Sequence, residues 1–342
     1  QDGEWVISNN VTTLSLEHKM GLHGSPTAVM DYKNSKGWLI GEKNQGLAAM
    51  FTMMNNARLG VGVEGLSQCE LATQKAILYA KNRKQGKSNI KNPEGFIIDH
   101  ADVRRNLLIM KSVTSAVRAL CLDTAVSLDL SRSTDKNIKE FHASRAAFLI
   151  PVAKAFSTEM GCELADIAIQ VHGGMGYIEE TGIAQIYRDV RVTAIYEGTN
   201  GIQAMDLVGR KLMDDGKIAF KILDEINQTV TQAMSQEHSD IIEMGKKVDH
   251  NSKIYRKTLD WMLSRKNTND RYGGSMPFLR ATGYLLGGHY LLKAAISSLD
   301  NEWRALSKFY IYNILERAVM NSKIACCEPE CLYDFDKKMF GS

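Results

Sequence analysis

A mainly α-helical chain with a short β segment at its front is the fold this sequence predicts, on three observations. Apolar residues make up 44% of the 342 residues and only 5 are proline, a balance that favours long helices over a turn-rich sandwich. From residue 46 onward apolar side chains recur at three- and four-residue spacing over stretches much longer than a strand. Before residue 44 the text reads instead as short β-type runs broken by glycine.

Length and composition narrow the class further. A chain of 342 residues exceeds the usual size of one domain, so two or three packed units are expected. Charged residues at 24% describe ordinary globular composition rather than disorder. No run of about 18 apolar residues occurs, so no membrane span is expected. The 42 basic and 39 acidic residues are spread along the chain, and without a basic stripe nucleic acid is not needed to explain them. Six cysteines are too few for a disulfide framework at this length. A reducing compartment fits, the cytoplasm first and the mitochondrial matrix as the alternative. Gln1-Asp2-Gly3-Glu4-Trp5 shows neither an initiator Met nor a signal-peptide pattern, so the chain is expected to lack its front.

The elements follow in order. Trp5-Val6-Ile7 and Ala28-Val29-Met30 read as β runs within residues 1–43, punctuated by Gly21, Gly24, Pro26, Gly37 and Gly41. After Asn44-Gln45-Gly46 a long helix begins, with Leu47, Met50, Met53, Met54 and Ala57 in register and the pattern lasting to Tyr79. The polar stretch from Gln85 to Gly95 ends it, and a second helix runs from about Asp102 to Ser131 with Val103, Leu107, Met110, Val117, Leu120 and Leu128 on one face. Pro151 marks either the first turn of a third helix reaching Val171 or a kink within it. Gly173-Gly174-Met175-Gly176 breaks the chain, and a short amphipathic segment runs from about Glu179 to Val192. Glu197-Gly198-Thr199-Asn200 breaks it again before a helix to Met213. Asp214-Asp215-Gly216-Lys217 is the boundary candidate, dividing a bundle over 44–215 from a tail over 216–342. The tail carries helical patterns near 218–236, 238–264, 278–298 and 302–325 and reads as a four-helix unit.

The chemistry concentrates at the breaks. Glu197 stands beside Gly198, after an apolar run and just before a helix. A carboxylate so placed is partly buried yet open to a ligand, and burial raises its basicity towards neutral pH. On spacing alone such a Glu is more often a helix cap or a first-turn charge.

The stretch Arg188-Asp189-Val190-Arg191-Val192-Thr193-Ala194-Ile195-Tyr196-Glu197-Gly198-Thr199-Asn200-Gly201-Ile202-Gln203 closely resembles the active-site segment of acyl-CoA dehydrogenases. Upstream, Gln170-Val171-His172-Gly173-Gly174-Met175-Gly176-Tyr177 is similar to that family's flavin segment. Glu17 to Thr27 resembles the end of its middle β-domain, and Ile40 to Leu47 its passage into the C-terminal helical bundle. The resemblance covers about residues 13 to 213, and the helical tail resembles the extra domain of the branch that includes methylthiopropionyl-CoA dehydrogenases. It implies the end of a β-barrel domain over 1–43, with the family's N-terminal helical domain and the first part of its β-domain lacking a counterpart here.

Roles transfer from the resemblance residue by residue. Glu197 corresponds to the base that removes the α-proton of an acyl-CoA thioester while FAD accepts the β-hydride. The thioester carbonyl is implied to lie against the Glu197 backbone N–H and a flavin hydroxyl. Arg58 and Gly198 correspond to positions at the thioester end of the substrate, and Ala57 occupies the place where some relatives carry their base. Arg83, Gln170, Gly173 and Gly174 correspond to residues that hold the dinucleotide part of FAD bound to a neighbouring subunit, and Thr199 and Asn200 to positions beside the flavin. Arg83-Lys84-Gln85-Gly86 departs from the family text, being one residue shorter and without its aromatic. The plainer readings are a solvated Arg58, a loop-only Gly-Gly-x-Gly and a helix cap at Thr199 and Asn200. The resemblance further implies a homodimer or tetramer and an electron-transfer flavoprotein as acceptor. An oxidase or a non-catalytic helical scaffold of the same fold are the alternatives. Cys326, Cys327 and Cys331 lack a second group at zinc spacing and read as free thiols, and His172 reads as a packed or loop residue rather than a proton donor.

Overall fold

The structure, a computed structural model, describes residues 9–90, 94–298 and 300–341. Trp5-Val6-Ile7, expected as a β run, lie outside them. Strands β1 (Val11–Leu16) and β2 (Ala28–Tyr32) pair antiparallel, with Val11 opposite Tyr32, Leu16 opposite Ala28 and an irregularity between Thr13 and Ser15. Two strands cannot bury a face by themselves. The ribbon is anchored through its loop: the Leu22 N–H donates to Asp189 Oδ1 at 2.7 Å. At Gly21 a Cβ would come within 2.7 Å of the Arg188 carbonyl carbon, so only glycine lets the loop dock there.

Three long helices follow, α1 (Gly46–Asn82), α2 (Ala101–Leu130) and α3 (Lys136–His172). Pro151 lies inside α3 and does not set its start. The Asp135 carboxylate accepts from the N–H groups of Asn137 at 2.8 Å and Ile138 at 3.1 Å, and this cap fixes the helix end. Burial of Ile150, Pro151 and Val152 together carries the helix through the proline ring. α1 and α3 approach to backbone contact, for a Cβ on Gly65 would stand 2.8 Å from the Ser157 carbonyl. That closeness brings the first half of α1, with Arg58, against the middle of α3.

Beyond α3 the chain turns at Gly173 and runs through short 3₁₀ turns at Gly173–Tyr177 and Glu179–Thr181 into α4 (Ile183–Arg191). The single amphipathic segment expected from 179 to 192 is divided by Gly182, whose φ of +72° no continuing helix accepts. A 3₁₀ turn at Val192–Ala194 leads to the Glu197 break and α5 (Asn200–Gly209). α5 ends short of Met213 because the chain turns over before α6, with Asp215 at φ +59° and Gly216 at +70°.

The tail holds α6 (Lys217–Met234), α7 (Ser239–Ser264), α8 (Thr268–Gly273), α9 (Ser275–Ser297), α10 (Asn301–Asn313), α11 (Glu316–Ala325) and α12 (Glu330–Tyr333). The last expected helix is divided into α10 and α11. Both Ile314 and Leu315 N–H groups turn back to the Tyr310 carbonyl, at 2.8 and 3.0 Å, and this widened, π-type turn buries both side chains. One apolar core runs without a break from Leu59 in the bundle to Ala325 in the tail.

A charged network crosses the same seam. Arg145 on α3 donates to both Asp123 oxygens at 2.9 and 2.8 Å, to both Glu225 oxygens at 3.2 and 2.8 Å, and to Ser127 at 2.7 Å. Tyr290 on α9 donates to Asp123 at 2.6 Å. Beside it His289 is buried, and burial, with Lys293 and Arg145 adding to it against the pull of Asp123, drives its imidazole from 6.5 down to about 3. The unfolded chain takes up this proton near 6.5 while the folded chain refuses it until about 3. The stability present above the unfolded value is therefore lost as pH falls through that window. His289→Gln is expected to flatten this acid limb, read as a smaller drop in the urea midpoint between neutrality and about pH 4.5.

Candidate active site

The break between the 3₁₀ turn and α5 is built on two consecutive left-handed residues, Glu197 at φ +53° and Gly198 at φ +85°. Glycine adopts this freely, but a glutamate held there costs about 1 to 3 kcal/mol. The surroundings hold the turn against that strain. Lys154 Nζ donates to the Gly198 carbonyl at 2.9 Å, and Gln203 Nε2 donates to the Glu197 and Gly198 carbonyls at 3.2 Å each. Tyr196 donates its hydroxyl proton to Glu64 on α1, and burial followed by that carboxylate pushes the Tyr196 phenol well above its ordinary range. Gly198 is required for its φ, and a Cβ there would also lie 2.8 Å from Gln203 Nε2 and push that amide from its carbonyl bonds.

Glu197 itself is half-buried. Among the described residues its carboxylate has no hydrogen bond or ion pair, and its backbone N–H has no partner. Arg58 is not a solvated surface residue: it is 5% exposed, donates to Asp206 Oδ2 at 3.1 Å, and Asp206 also accepts from Arg210. Arg58 Nη2 stands 3.9 Å from where a Cβ on Gly198 would be. Lys154, fully buried on α3, is pushed down to about 8 by burial and then by Arg58, with Glu197 opposing. Two buried polar atoms at this place, Arg58 Nε and Gln203 Oε1, have no hydrogen-bond partner among the described residues. The structure thus gathers Glu197, Gly198 and Arg58 at one point and adds Lys154.

Thr199 and Asn200 part company. Thr199 is exposed and its hydroxyl caps α5, accepting from the Ile202 N–H at 3.4 Å. Asn200 turns inward, its amide oxygen accepting from Lys154 at 2.9 Å and Thr158 at 3.2 Å, its amide nitrogen donating to the Ala155 carbonyl at 3.2 Å.

Arg83, Gln170, Gly173 and Gly174 form a second group at the far end of the bundle. Tyr79 stacks on His172 with ring centroids 4.3 Å apart, which sets the end of α1 beside the end of α3. His172 is packed, as expected of it, and burial lowers its imidazole. Arg83, the residue that ends α1, and Gln170 are exposed with no side-chain partner among the described residues. A Cβ on Gly173 or Gly174 would meet nothing within 4 Å, so this backbone is open to close approach. Where the sequence lacks an aromatic after Arg83, Lys84 pairs across a bridge with Phe96 and lies 4.8 Å over its ring. Along the α1 axis Arg58 and Arg83 are about 37 Å apart. The structure does not bring the two groups together within one chain.

Two cavities flank the Glu197 turn. One of about 430 Å³ lies between the Lys19–Thr27 loop and the Arg188–Tyr196 segment. Another of about 670 Å³ lies between α3 and the tail, with Thr199 and Asn200 in its wall and the Arg280–Glu159 and Arg317–Glu163 pairs around it. Glu197 is in the wall of neither. Among the described residues no three His, Cys, Asp or Glu side chains are grouped to hold a metal ion, and no helix is long and apolar enough to cross a membrane.

Sequence reasoning missed Lys154, Gln203, Asp206 and Glu64. Two of them had a signal. Lys154 is the one charge in the apolar run Ala146 to Phe156, and Asp206 stands on the α5 face that buries Ala204, Leu207 and Val208.

Comparison with known proteins bears on both groups. Residues 44–213 match the family model of the acyl-CoA dehydrogenase C-terminal domain. The chain is 40% identical over 302 residues to 3-methylmercaptopropionyl-CoA dehydrogenase of Ruegeria pomeroyi, covering 87% of this chain and 51% of that protein. Its fold matches the Caenorhabditis elegans ACDH-11 structure in complex with C11-CoA, with a TM-score of 0.77 at 20% identity over 96% of this chain and 55% of that one. It also matches a Bacillus anthracis acyl-CoA dehydrogenase complexed with FAD, with a TM-score of 0.73 at 20% identity over 97% of this chain and 60% of the other. The chain thus spans about half the length of the relatives it matches.

Proposed function

The chain belongs to the acyl-CoA dehydrogenase family, and on that premise we propose that the protein it represents carries out FAD-dependent α,β-dehydrogenation of an acyl-CoA thioester with Glu197 as the base. The observation that carries this reading is the Glu197 turn. A strained, unpaired carboxylate, fixed through its own backbone and set beside buried cations, has the attributes of a positioned general base. Tertiary contacts do not maintain a left-handed glutamate without compensation, and as a helix cap the residue is idle, since Thr199 performs that task.

The division of labour follows from the geometry. The Glu197 carboxylate takes the α-proton, and its unpartnered backbone N–H is free to donate to the thioester oxygen as negative charge develops there. Arg58, braced by Asp206, keeps positive charge next to the turn. When bound, FAD supplies the acceptor for the β-hydride. The residues present fit that cofactor: the orphaned Arg58 Nε and Gln203 Oε1 border the turn, and the open backbone at Gly173 and Gly174 beside the unpaired Arg83 suits a pyrophosphate. Because about 37 Å of helix separates the two groups, one dinucleotide cannot touch both in one chain. A neighbouring subunit must then supply Arg83, Gln170, Gly173 and Gly174, which makes the assembly a symmetric dimer or a dimer of dimers. An electron-transfer flavoprotein is the acceptor this reading carries, and residues 216–342 are read as an added helical domain, at work in a reducing compartment.

Bleaching of the yellow flavin by a panel of acyl-CoAs under anaerobic conditions, in the full-length protein, tests the reaction. A colourless protein inert to every thioester would assign the fold to a scaffold instead. Arg83→Ala is expected to lower flavin content while leaving helix content unchanged, since Arg83 fills no core. Full flavin occupancy in a monomer would sink the shared-site argument.

A further inference from the structure

We propose that Lys154 is a positioning residue for the proton-abstraction step: its ammonium holds the Gly198 carbonyl inward and so fixes the left-handed turn that presents Glu197. This rests on the dehydrogenase reading and adds to it a residue on a different helix. Lys154 stands in the middle of α3, has no exposed surface, and lies between two apolar neighbours, Ala153 and Ala155, that are themselves fully buried. A buried lysine is costly unless something uses its charge and its donors. Here both of its hydrogen bonds go to the Glu197 break: one to the Gly198 carbonyl and one to the Asn200 amide oxygen, each at 2.9 Å.

The arrangement is more than packing. Asn200, the first residue of α5, is itself tied to α3 through Thr158 and the Ala155 carbonyl, so α3 grips the segment on both sides of Thr199. Gln203 shares the Gly198 carbonyl with Lys154, but at 3.2 Å against 2.9 Å, and reaches the Glu197 carbonyl at 3.2 Å. Arg58 and Glu197 act on Lys154 in opposite senses, as expected of a cation placed between a second cation and the carboxylate. Without the ammonium, the peptide between Gly198 and Thr199 loses its charge-assisted bond, and the glutamate next to it, at φ +53°, relaxes towards ordinary backbone. The carboxylate then leaves its place while flavin and substrate contacts elsewhere remain.

Full-length, flavin-loaded protein carrying Lys154→Met or Lys154→Gln, with Thr158→Val as the comparison, tests this. Three quantities are read: the limiting rate of flavin bleaching by acyl-CoA, the half-saturating acyl-CoA concentration, and amide deuterium exchange over residues 195–201. Lys154→Met is expected to slow bleaching by about 10- to 100-fold with little change in half-saturation, and to speed exchange at that segment. Lys154→Gln keeps an amide donor of lower reach and falls between; it stands in if the Met variant does not fold. Thr158→Val, which loosens Asn200 and leaves the Gly198 carbonyl held, is expected to bleach at least about five-fold faster than Lys154→Met. Bleaching and exchange at wild-type values in both Lys154 variants overturn the proposal, as do equal losses in Lys154→Met and Thr158→Val. If the wild-type protein is not bleached by any acyl-CoA, the dehydrogenase reading fails instead, and segment exchange alone then decides whether Lys154 holds the turn.

Discussion

Replacing Glu197 by Gln in the full-length, flavin-loaded protein is expected to leave flavin bound and abolish its reduction by acyl-CoA. The substitution keeps shape and hydrogen-bonding capacity and removes only the proton acceptor. General-base loss typically costs about 10²- to 10⁴-fold, and more for an α-carbon as weakly acidic as that of a thioester. The two other carboxylates bonded around the turn are not free to substitute, because Asp206 is committed to Arg58 and Arg210 and Glu64 to Tyr196. The backbone of the turn should survive, since its holding bonds run from Lys154 and Gln203 to main-chain carbonyls and not to the glutamate side chain. Ala57→Glu in the Glu197→Gln background restores a carboxylate next to Arg58 and is expected to recover part of the rate. Stopped-flow bleaching at saturating acyl-CoA checks both variants. A Glu197→Gln protein that bleaches at the wild-type rate would remove the residue from the reaction.

The legible part of the fold was the part written in periodicity. α1, α2, α6, α7 and α9 were all visible as three- and four-residue apolar recurrences, because each presents one face to a shared core. What periodicity could not mark were the places where a single residue overrides the pattern. Asp135 starts α3 well before Pro151, and the Tyr310 carbonyl divides the last pattern into α10 and α11. Gly182 and the Asp215-Gly216 turn likewise impose left-handed backbone in the middle of apolar text.

The candidate site divided in the same way. Glu197, Gly198 and Arg58 could be named from local text and resemblance, but their partners lie on other elements. Lys154 is 43 positions upstream of Glu197, the hydrogen bond from Arg58 to Asp206 spans 148 positions, and Tyr196 reaches Glu64 across 132. Such pairings appear only when α1 and α3 close upon each other at Gly65. Asn200 shows the converse: resemblance places it beside the flavin and its spacing reads as a helix cap, while its burial gives its side chain to α3.

Arg145→Met is expected to destabilise the protein by about 3 kcal/mol and to do so at the seam between bundle and tail. The guanidinium, with a side chain 7% exposed, is the sole described cation bonded to Asp123 and Glu225, which come from α2 and α6. Removing it leaves two carboxylates facing each other with only Tyr290 and Asp123 still bonded. Breaking a buried pair from one side costs about 3 to 5 kcal/mol; the lower end applies because the carboxylates are a quarter to a third exposed, at 26% and 34%, and water can recover part of their solvation. Arg145→Lys keeps the charge but cannot fork to both partners, so it should recover less than half of the loss. Because the core is continuous across the seam, the loss should appear as one shifted urea transition with an unchanged slope. Two separated transitions, with the tail melting first, would show instead that residues 216–342 fold as an independent unit and that the network is a surface clasp.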